Sequence, residues 1–246
     1  MSRNPVRRNC AQPHACSDET RLKILARSPL TRELSPADHR DLSTRVTSWS
    51  WAEGDPLVIA GDELRGSYLV VSGRVRVTHD TVEGNEITVD IAVPGDPVGP
   101  LRTEAAASVD SAWAMETTCA LFLPADALAE VVDDHPRFAL AVMQLQQDRL
   151  AQAREREIGY ATRSVEQRVG SVLRYLDRKL GSRQRDGSSL LQVRLRRDDI
   201  AGLAGTTVES ASRAMARMKK SGVIDSGREW VSILDHAALD QLIAGK

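Results

Sequence analysis

Residues 196–234 read RRDDIAGLAGTTVESASRAMARMKKSGVIDSGREWVSIL, and this stretch decides how the C-terminal part of the chain folds. Its pattern predicts a short helix over 198–204, a tight turn at Gly205-Thr206 and a second helix that begins at once. A hairpin follows, with its turn at 225–228. Helix, glycine turn, polar-faced helix and hairpin together indicate a winged helix-turn-helix, which places its second helix in the major groove of DNA.

The second helix has one apolar and one polar face. Thr206 and Glu209 stand at the spacing of a capping box, in which hydroxyl and carboxylate each bond a free backbone N–H. The apolar residues recur at steps of three and four and predict one buried stripe, made of Val208, Ala211, Met215 and Met218. The opposite arc, at about 100° per residue, holds Glu209, Ser212, Arg213, Arg217 and Lys220. An amphipathic helix pair with a merely solvated polar face would have the same pattern.

A resemblance favours DNA binding over that second interpretation. The run Thr207-Val208-Glu209-Ser210-Ala211-Ser212-Arg213, followed by Lys220-Ser221-Gly222, resembles the recognition helix of the CRP/FNR regulators. It is most similar to the FNR branch, where a Glu-x-x-Ser-Arg pattern reads TTGAT-type half-sites. The resemblance implies a transcription regulator that binds a palindromic operator in double-stranded DNA and works with RNA polymerase. The residues expected to contact DNA are Arg197, Thr207, Glu209, Ser212, Arg213, Arg217, Lys219 and Lys220.

The chemistry of these side chains suits base and phosphate contacts. Glu209 can accept from a cytosine amine, and Arg213 can make a bidentate contact to guanine. Ser212 can serve a base or a thymine methyl group. Lys219 and Lys220 are candidates for phosphate contacts, which weaken all sequences alike when lost.

Composition places the basic charge locally. The formal net charge is −1, but residues 194–228 hold eight Lys or Arg against four acids. A basic patch on a nearly neutral chain is typical of a DNA-binding face on a larger body. No apolar run approaches the roughly 20 residues of a membrane span, and no secretory signal follows the N-terminal arginines. We therefore expect a cytoplasmic protein with reduced cysteines. The sequence contains no nucleophile elbow, no P-loop and no HExxH motif, so no motif indicates an enzyme.

Between residues 46 and 123 the pattern changes to short strands. Val75 and Val77 alternate with polar residues, and glycine-containing turns such as Glu83-Gly84-Asn85 and Pro94-Gly95-Asp96 separate the apolar runs. This predicts an antiparallel β-roll or jelly roll. The order of the turns resembles the cyclic-nucleotide-binding-like domain (a double-stranded β-helix) of CRP/FNR proteins, so the expected fold class is α+β.

A long helix is predicted from Arg137 to about Arg163. Its apolar seam consists of Phe138, Val142, Leu145, Ala153 and Ile158. A helix this long and charged is expected to pair with a second copy of itself, which makes the protein a homodimer. The expected domains are a cysteine-containing arm (1–30), a cyclic-nucleotide-binding-like sensor domain (31–134), a dimerisation helix (135–163) and the winged helix-turn-helix domain (164–246).

The sensor domain lacks the groups that hold a cyclic nucleotide. In members of the family that bind one, a Phe-Gly-Glu and an Arg-Ser/Thr pair contact ribose and phosphate. The corresponding places here read Val98-Gly99-Pro100 and Asp110-Ser111-Ala112-Trp113. Pro100 replaces the carboxylate, and Asp110 stands where the arginine should be. Because a carboxylate repels a phosphodiester, we expect no cyclic-nucleotide binding.

The cysteines offer another sensing chemistry. In the FNR branch an oxygen-labile iron–sulfur cluster is held by N-terminal cysteines and one cysteine in the β-roll. Cys10 and Cys16 match part of that pattern, although Arg7 stands where a further cysteine would be, and Cys119 lies two residues earlier on its strand, on the same face. The resemblance thus implies a [4Fe–4S] cluster on Cys10, Cys16 and Cys119, with His14 or Asp18 as the fourth ligand.

Alternatives to the cluster remain open at this point. Cys119 is also a small apolar residue suited to a strand, and Cys10 and Cys16 would serve equally as exposed thiols or as a reversible redox pair. The corresponding functional alternative is a CRP/FNR-type regulator that senses thiol oxidation or a small organic effector in the β-roll, without a metal cofactor. Haem is a further alternative to the cluster.

Overall fold

A computed structural model describes residues 11–245 of the chain. Within that range the contacts define two compact units, one of residues 11–86 and 90–148 and the other of residues 87–89 and 149–245. Helices and antiparallel sheets occur together in the chain, as the predicted α+β class requires. No described helix combines the length and the apolar character that crossing a membrane demands.

The first unit contains most of the strands. They are β1 (Gln12–Pro13), β2 (Thr47–Trp51), β3 (Pro56–Val58), β4 (Glu63–Leu64), β5 (Gly66–Ser72), β6 (Val75–Asp80), β7 (Glu86–Ala92), β8 (Pro97–Val98), β9 (Ala106–Ala107), β10 (Ser111–Ala114) and β11 (Thr118–Pro124). The helices of this part are α1 (Asp18–Arg27), α2 (Pro36–Arg45), α3 (Ala125–Asp134) and α4 (Pro136–Thr162), of which α4 continues into the second unit.

The strands form the predicted β-roll. One sheet has the order β1-β2-β11-β5-β8, a second has the order β3-β10-β6-β7, and β4 pairs with β9. The pairings β1-β2, β2-β11, β11-β5, β5-β8, β3-β10, β10-β6 and β4-β9 are antiparallel. A buried apolar cluster draws residues from both larger sheets, among them Trp51, Val70, Val75, Ala112 and Ala120. Burial of these side chains is the main force that holds the roll closed.

Local sequence explains where α2 begins. The Ser35 hydroxyl accepts from the Asp38 backbone N–H, and the Asp38 carboxylate accepts from the Ser35 N–H. Pro36 occupies the first turn, where its missing N–H costs nothing. The serine cap and the proline of the first turn together set where α2 begins.

The predicted long helix is present as α4, but part of its predicted seam faces the protein's own core. Phe138 is 1% exposed, and Val142 and Leu145 pack against the same buried cluster. The predicted seam was therefore wrong at Phe138, and Val142 and Leu145 are partly covered by the chain's own core. The four apolar side chains that α4 leaves exposed at seam-like spacing, here called the exposed stripe, are Leu140, Met143, Leu150 and Ile158.

The second unit consists of a helical cluster and a small sheet. Its elements after α4 are α5 (Val165–Leu180), β12 (Ser182–Arg183), β13 (Ser189–Leu191), α6 (Arg197–Ala204), α7 (Val208–Lys220), β14 (Ile224–Gly227), β15 (Trp230–Ile233) and α8 (His236–Ala244). The sheet has the order β12-β13-β15-β14. The hairpin turn lies at Arg228-Glu229 rather than at the predicted 225–228, because Asp225 to Gly227 pair with β15.

Helix α7 begins one residue later than the sequence predicted. Thr207, not Thr206, is the N-cap, and its hydroxyl accepts from the Ser210 N–H at 3.2 Å. The buried stripe is Ala211, Ala214, Met215 and Met218, whereas Val208 is 42% exposed. Val208 therefore lies in the solvent-exposed first turn of the helix and is not part of its packed face.

The turn between α6 and α7 requires glycine at position 205 for two reasons, which can be tested separately. Its φ is +57°, and an added Cβ would lie 2.5 Å from Cε1 of Tyr160. We expect Gly205→Ala to destabilise the protein by about 1–2 kcal/mol through the left-handed backbone, and by about 1–3 kcal/mol more through overpacking. Gly187→Ala is the control, since Gly187 has φ +85° but nothing within 4 Å of its Cβ position. Equal losses in urea unfolding would show that the Tyr160 contact is unimportant.

Candidate nucleic-acid interface and thiol cluster

The exposed face of α7 carries a pair of side chains suited to bases. The side chains of Glu209 and Arg213 are 76% and 61% exposed, and Arg213 Nη1 donates to Glu209 Oε1 at 2.7 Å. Arg213 Nη2 also donates to Ser210 Oγ at 3.2 Å. Glu209 therefore pairs with the side chain one turn later and does not form the predicted capping box with Thr206.

Packing on the other side of α7 fixes the direction of this pair. Ala211, Ala214, Met215 and Met218 are at most 1% exposed. Because the buried stripe holds one face of the helix inward, Glu209 and Arg213 face solvent. Ser212 lies at the edge of the packed face and is half-buried.

The remaining basic candidates have different surroundings. Arg217 Nε donates to Glu166 Oε2 at 2.6 Å, at the start of α5. Lys219 Nζ donates to the Ser226 carbonyl at 2.9 Å and lies 2.7 Å from Asp225 Oδ1, which lowers the pKa of Asp225. These contacts order two cations beside the recognition helix, one towards α5 and one towards the hairpin.

Lys220, Thr207 and Arg197 complete the predicted set. Lys220 is exposed at the end of α7, and the N-cap Thr207 is exposed at its start. Arg197 is placed differently, since its Nη1 lies 2.7 Å from the buried Met215 Sδ, and burial lowers its pKa. The structure thus brings the predicted residues on α7 and its cap to one helix and sets Arg197 apart from them. The predicted set omitted Arg228, whose side chain is 96% exposed at the hairpin turn.

Strand pairing brings together three of the predicted metal ligands. The β1 residues Gln12 and Pro13 pair with Ser50 and Trp49 on β2, and the His14 N–H donates to the Ser48 carbonyl at 3.0 Å. Strand β2 in turn pairs with β11, where Cys119 is opposite Ser50. The segment that follows β1 therefore lies beside Cys119.

The resulting thiol cluster consists of His14, Cys16 and Cys119. The two Sγ atoms are 3.1 Å apart, and all three potential ligand atoms lie within 4.8 Å of one another. Cys119 is buried, Cys16 is half-buried and His14 is exposed. Burial and the adjacent Cys16 thiol raise the pKa of Cys119 to about 12, so this sulfur is protonated at neutral pH. Cys10 lies outside the described residues, and Asp18 is not part of the cluster.

The places that would hold a cyclic nucleotide carry other contacts. Asp110 Oδ1 lies 2.9 Å from His79 Nδ1, and the Pro100 carbonyl accepts from Ser67 Oγ. Ser111 Oγ accepts from the Ala60 N–H at 3.0 Å. Asp110 thus pairs with a histidine in this structure, and its correspondence to the phosphate-binding arginine stays a prediction.

We expect cAMP not to bind this protein, because Asp110 would repel its phosphate and Pro100 offers no carboxylate to its ribose. Isothermal titration calorimetry with cAMP should give only heat of dilution at concentrations up to millimolar. A saturable heat with micromolar affinity would show that the correspondence of these positions is wrong.

Comparison with known proteins identifies two domains. The Crp-like helix-turn-helix domain family matches residues 167–242, and the cyclic nucleotide-binding domain family matches residues 49–135. Electron transport regulator A of Shewanella oneidensis is 28% identical over 195 residues, which are 78% of this chain and 76% of that protein. The fumarate and nitrate reduction regulatory protein of Vibrio cholerae is 29% identical over 192 residues, 77% of this chain and 76% of that protein.

Solved structures share the fold. The structure of FixK2 from Bradyrhizobium japonicum has a TM-score of 0.71 at 21% identity and covers 80% of this chain and 96% of its own. A CRP/FNR-family transcriptional regulator from Thermus thermophilus has a TM-score of 0.65 at 23% identity and covers 80% and 98%. These likenesses agree with the β-roll and the helix-turn-helix described above.

Proposed function

The chain belongs to the CRP/FNR family of DNA-binding transcription regulators, and from this premise we propose that it is a redox- or gas-responsive member that reads a TTGAT-like inverted repeat as a homodimer. The observation that carries the sensing proposal is the thiol cluster, in which Cys16 and Cys119 meet across 103 positions of sequence. Like its relatives, the protein is a regulator and not an enzyme. We propose RNA polymerase as its partner at the promoter.

The DNA-reading part of the proposal rests on the exposed pair of α7. An ion pair between two solvent-exposed side chains contributes only about 0–1 kcal/mol, so Glu209 and Arg213 exchange each other for bases at little cost. Arg213 then contacts a guanine and Glu209 a cytosine amine. Lys219, Lys220 and Arg217 surround them with positive charge for phosphate contacts.

The dimer part rests on the exposed stripe of α4. Leu140, Met143, Leu150 and Ile158 are each more than half exposed. Pairing with the same stripe of a second copy would remove these apolar surfaces from water. The two recognition helices of one dimer would then bind the two halves of an inverted repeat.

The proposed sensing group is a labile iron–sulfur cluster held by Cys10, Cys16 and Cys119, with His14 as the fourth ligand. Thiolates and an imidazole are suitable donors, and three of the four residues already lie together. The two Sγ atoms are 3.1 Å apart and in direct contact, so Cys16 would have to move away from Cys119 for both sulfurs to hold a cluster. Cys16 lies between β1 and the Ser17 cap of α1, outside any helix or strand. Such a cluster, when bound, supplies reactivity towards oxygen or nitric oxide.

A second candidate, thiol oxidation without a metal, is favoured by the same short distance. With a peroxide as oxidant, the Cys16 sulfur attacks one peroxide oxygen, the O–O bond breaks and water leaves, which makes a sulfenic acid. The Cys119 sulfur then attacks the Cys16 sulfur, and a second water leaves as the disulfide forms. Two thiols lose two electrons and the peroxide gains them. The Sγ atoms need to approach by only about 1 Å to reach disulfide length.

Anaerobic reconstitution with ferrous iron and sulfide separates the two candidates. If the cluster forms, wild-type protein loads iron and sulfide in equal amounts, and Cys10→Ala, Cys16→Ala and Cys119→Ala each abolish loading. If the thiol pair is the sensor, wild type loads none, and peroxide produces a disulfide between Cys16 and Cys119 that mass spectrometry detects. Cys10→Ala is the matched control, since it prevents the cluster but not this disulfide. Undiminished iron loading in the triple cysteine variant would overturn the cluster, and the absence of both reactions would overturn the sensing proposal.

A further inference from the structure

The second unit contains a cavity that neither DNA reading nor thiol sensing uses. Its volume is about 510 Å³, and all of its lining residues belong to the second unit, where they come from α4, α5, α6, α8 and Arg163 in the link between α4 and α5. Cavities of roughly 300–1,000 Å³ are the size that small-molecule sites have.

The walls of the cavity are strongly basic. Five arginines line it, against the two carboxylates of Glu155 and Asp240: they are Arg156, Arg163, Arg168, Arg174 and Arg178. An excess of positive charge on concave, low-dielectric walls attracts anions more strongly than the same charges would on an open surface.

Both carboxylates already form ion pairs with arginines of the lining. Glu155 forms an ion pair with Arg163, and Asp240 Oδ2 lies 3.1 Å from Arg174 Nη2. The other three arginines therefore find no free carboxylate in the lining. Arg168 donates only long, 3.4 Å bonds to the carbonyls of Tyr160 and Gly205, and its buried Nε has no hydrogen-bond partner. The two long bonds leave the Nη groups of Arg168, which lines the cavity, able to donate to an anionic ligand.

The rest of the lining is apolar. Val172, Leu203, Ala204 and Ile243 contribute aliphatic surface. The Tyr160 ring lies 5.8 Å from the Arg168 guanidinium carbon and also lines the cavity. Such walls suit the hydrocarbon or aromatic body of a ligand, while the arginines suit its charged head.

The centre of the exposed stripe faces away from this cavity. Gly159 lines the cavity and Leu150 belongs to the stripe, and the two are nine residues apart on α4. At about 100° per residue they point in opposite directions from the helix axis. Leu150 therefore does not face the cavity, whereas Ala151, which lines it, points within about 20° of Ile158 in the stripe.

We propose that this cavity binds a small amphipathic organic anion, whose carboxylate or phosphate contacts the arginines not paired with Glu155 or Asp240 and whose apolar body packs on Val172, Leu203 and Ile243. The site goes beyond the proposed redox sensing and uses none of the same residues. It adjoins α6 and the Gly205 turn, so its occupant would touch the element that holds the recognition helix.

The test uses salicylate and phenyl phosphate as probes, with phenol as the neutral probe of similar body, in calorimetry with the full-length protein. We expect both anions to bind once per chain and phenol not to bind measurably. Arg178→Gln should weaken anion binding about tenfold or more, and Arg178→Glu should weaken it further, as the loss of a charge-assisted bond predicts. Arg178 is exposed, so neither substitution is expected to impair folding.

Two controls make the outcome decisive. Arg185→Gln removes the same charge from an exposed residue that does not line the cavity and should leave anion binding unchanged. Duplex DNA without an operator sequence tests whether the arginines are instead a phosphate-backbone surface. Failure of both anions to bind, equal binding by the Arg178 variants, or displacement of the probes by that DNA would each overturn the proposal.

Discussion

Leu150→Glu is expected to convert the proposed dimer into monomers and to lower affinity for the proposed inverted repeat by about 100-fold or more. The substitution places a carboxylate in the middle of the exposed stripe, where pairing with a second copy would bury it without a partner. A monomer engages one half-site at a time and loses the gain of linked binding, which is about 10²–10⁴. Light scattering and fluorescence anisotropy with operator DNA measure the two effects.

A matched control lies on the opposite face of the same helix. Gln152→Glu introduces the same charge on α4 at a position that lines the cavity and not the stripe, and it should leave both mass and operator affinity unchanged. Leu145→Glu is not a clean test of the dimer, because Leu145 packs against the core of its own chain. A Leu150→Glu protein that remained dimeric and bound the operator normally would show that another surface forms the dimer.

Arg213→Ala is expected to cost about 1–3 kcal/mol of operator binding, which is roughly 5- to 150-fold in affinity. The reason is the loss of a bidentate contact to guanine by a side chain that is held on the exposed face of α7. Wild-type protein should discriminate between TTGAT repeats and repeats in which A·T replaces the G·C pair. The variant should bind the two alike in anisotropy titrations.

Lys220→Ala and Glu209→Gln complete this experiment. Lys220→Ala should weaken binding to both DNA sequences equally. It should also reduce the slope of log affinity against log salt concentration by about one, as expected for a lost phosphate contact. Glu209→Gln should change preference at the same base pair, since the amide offers both a donor and an acceptor. Thr207 caps α7, so a change of helix capping would not explain that result. Unchanged preference in both Arg213→Ala and Glu209→Gln would show that these residues do not read bases.

Local features of the sequence were sufficient for most of the fold. The steps of three and four along α7, the glycine before it and the turn residues between strands are all set by near neighbours in the chain. They predicted the helix-turn-helix, the β-roll and the polar face that carries Glu209 and Arg213. Periodicity works there because helices and strands repeat with fixed geometry whatever surrounds them.

Which apolar face meets which partner was decided only by tertiary packing. Phe138, Val142 and Leu145 were indistinguishable by pattern from a dimer seam, because a face buried in the same chain and a face buried by a second copy are equally apolar. The N-cap at Thr207 instead of Thr206 had a similar cause, since both threonines offer the same hydroxyl and only the path of the turn selects one.

The short distance between the two sulfur atoms of the thiol cluster was also decided by the tertiary structure. Sequence alone identified His14, Cys16 and Cys119 as candidates, but the 3.1 Å between the two sulfurs depends on β1 pairing with β2 and β2 pairing with β11. The arginine-lined cavity likewise combines residues of four helices that no local pattern connects. Spacing along the chain determines which side chains share an element, whereas distances between elements depend on how those elements pack, and packing is a property of the whole unit.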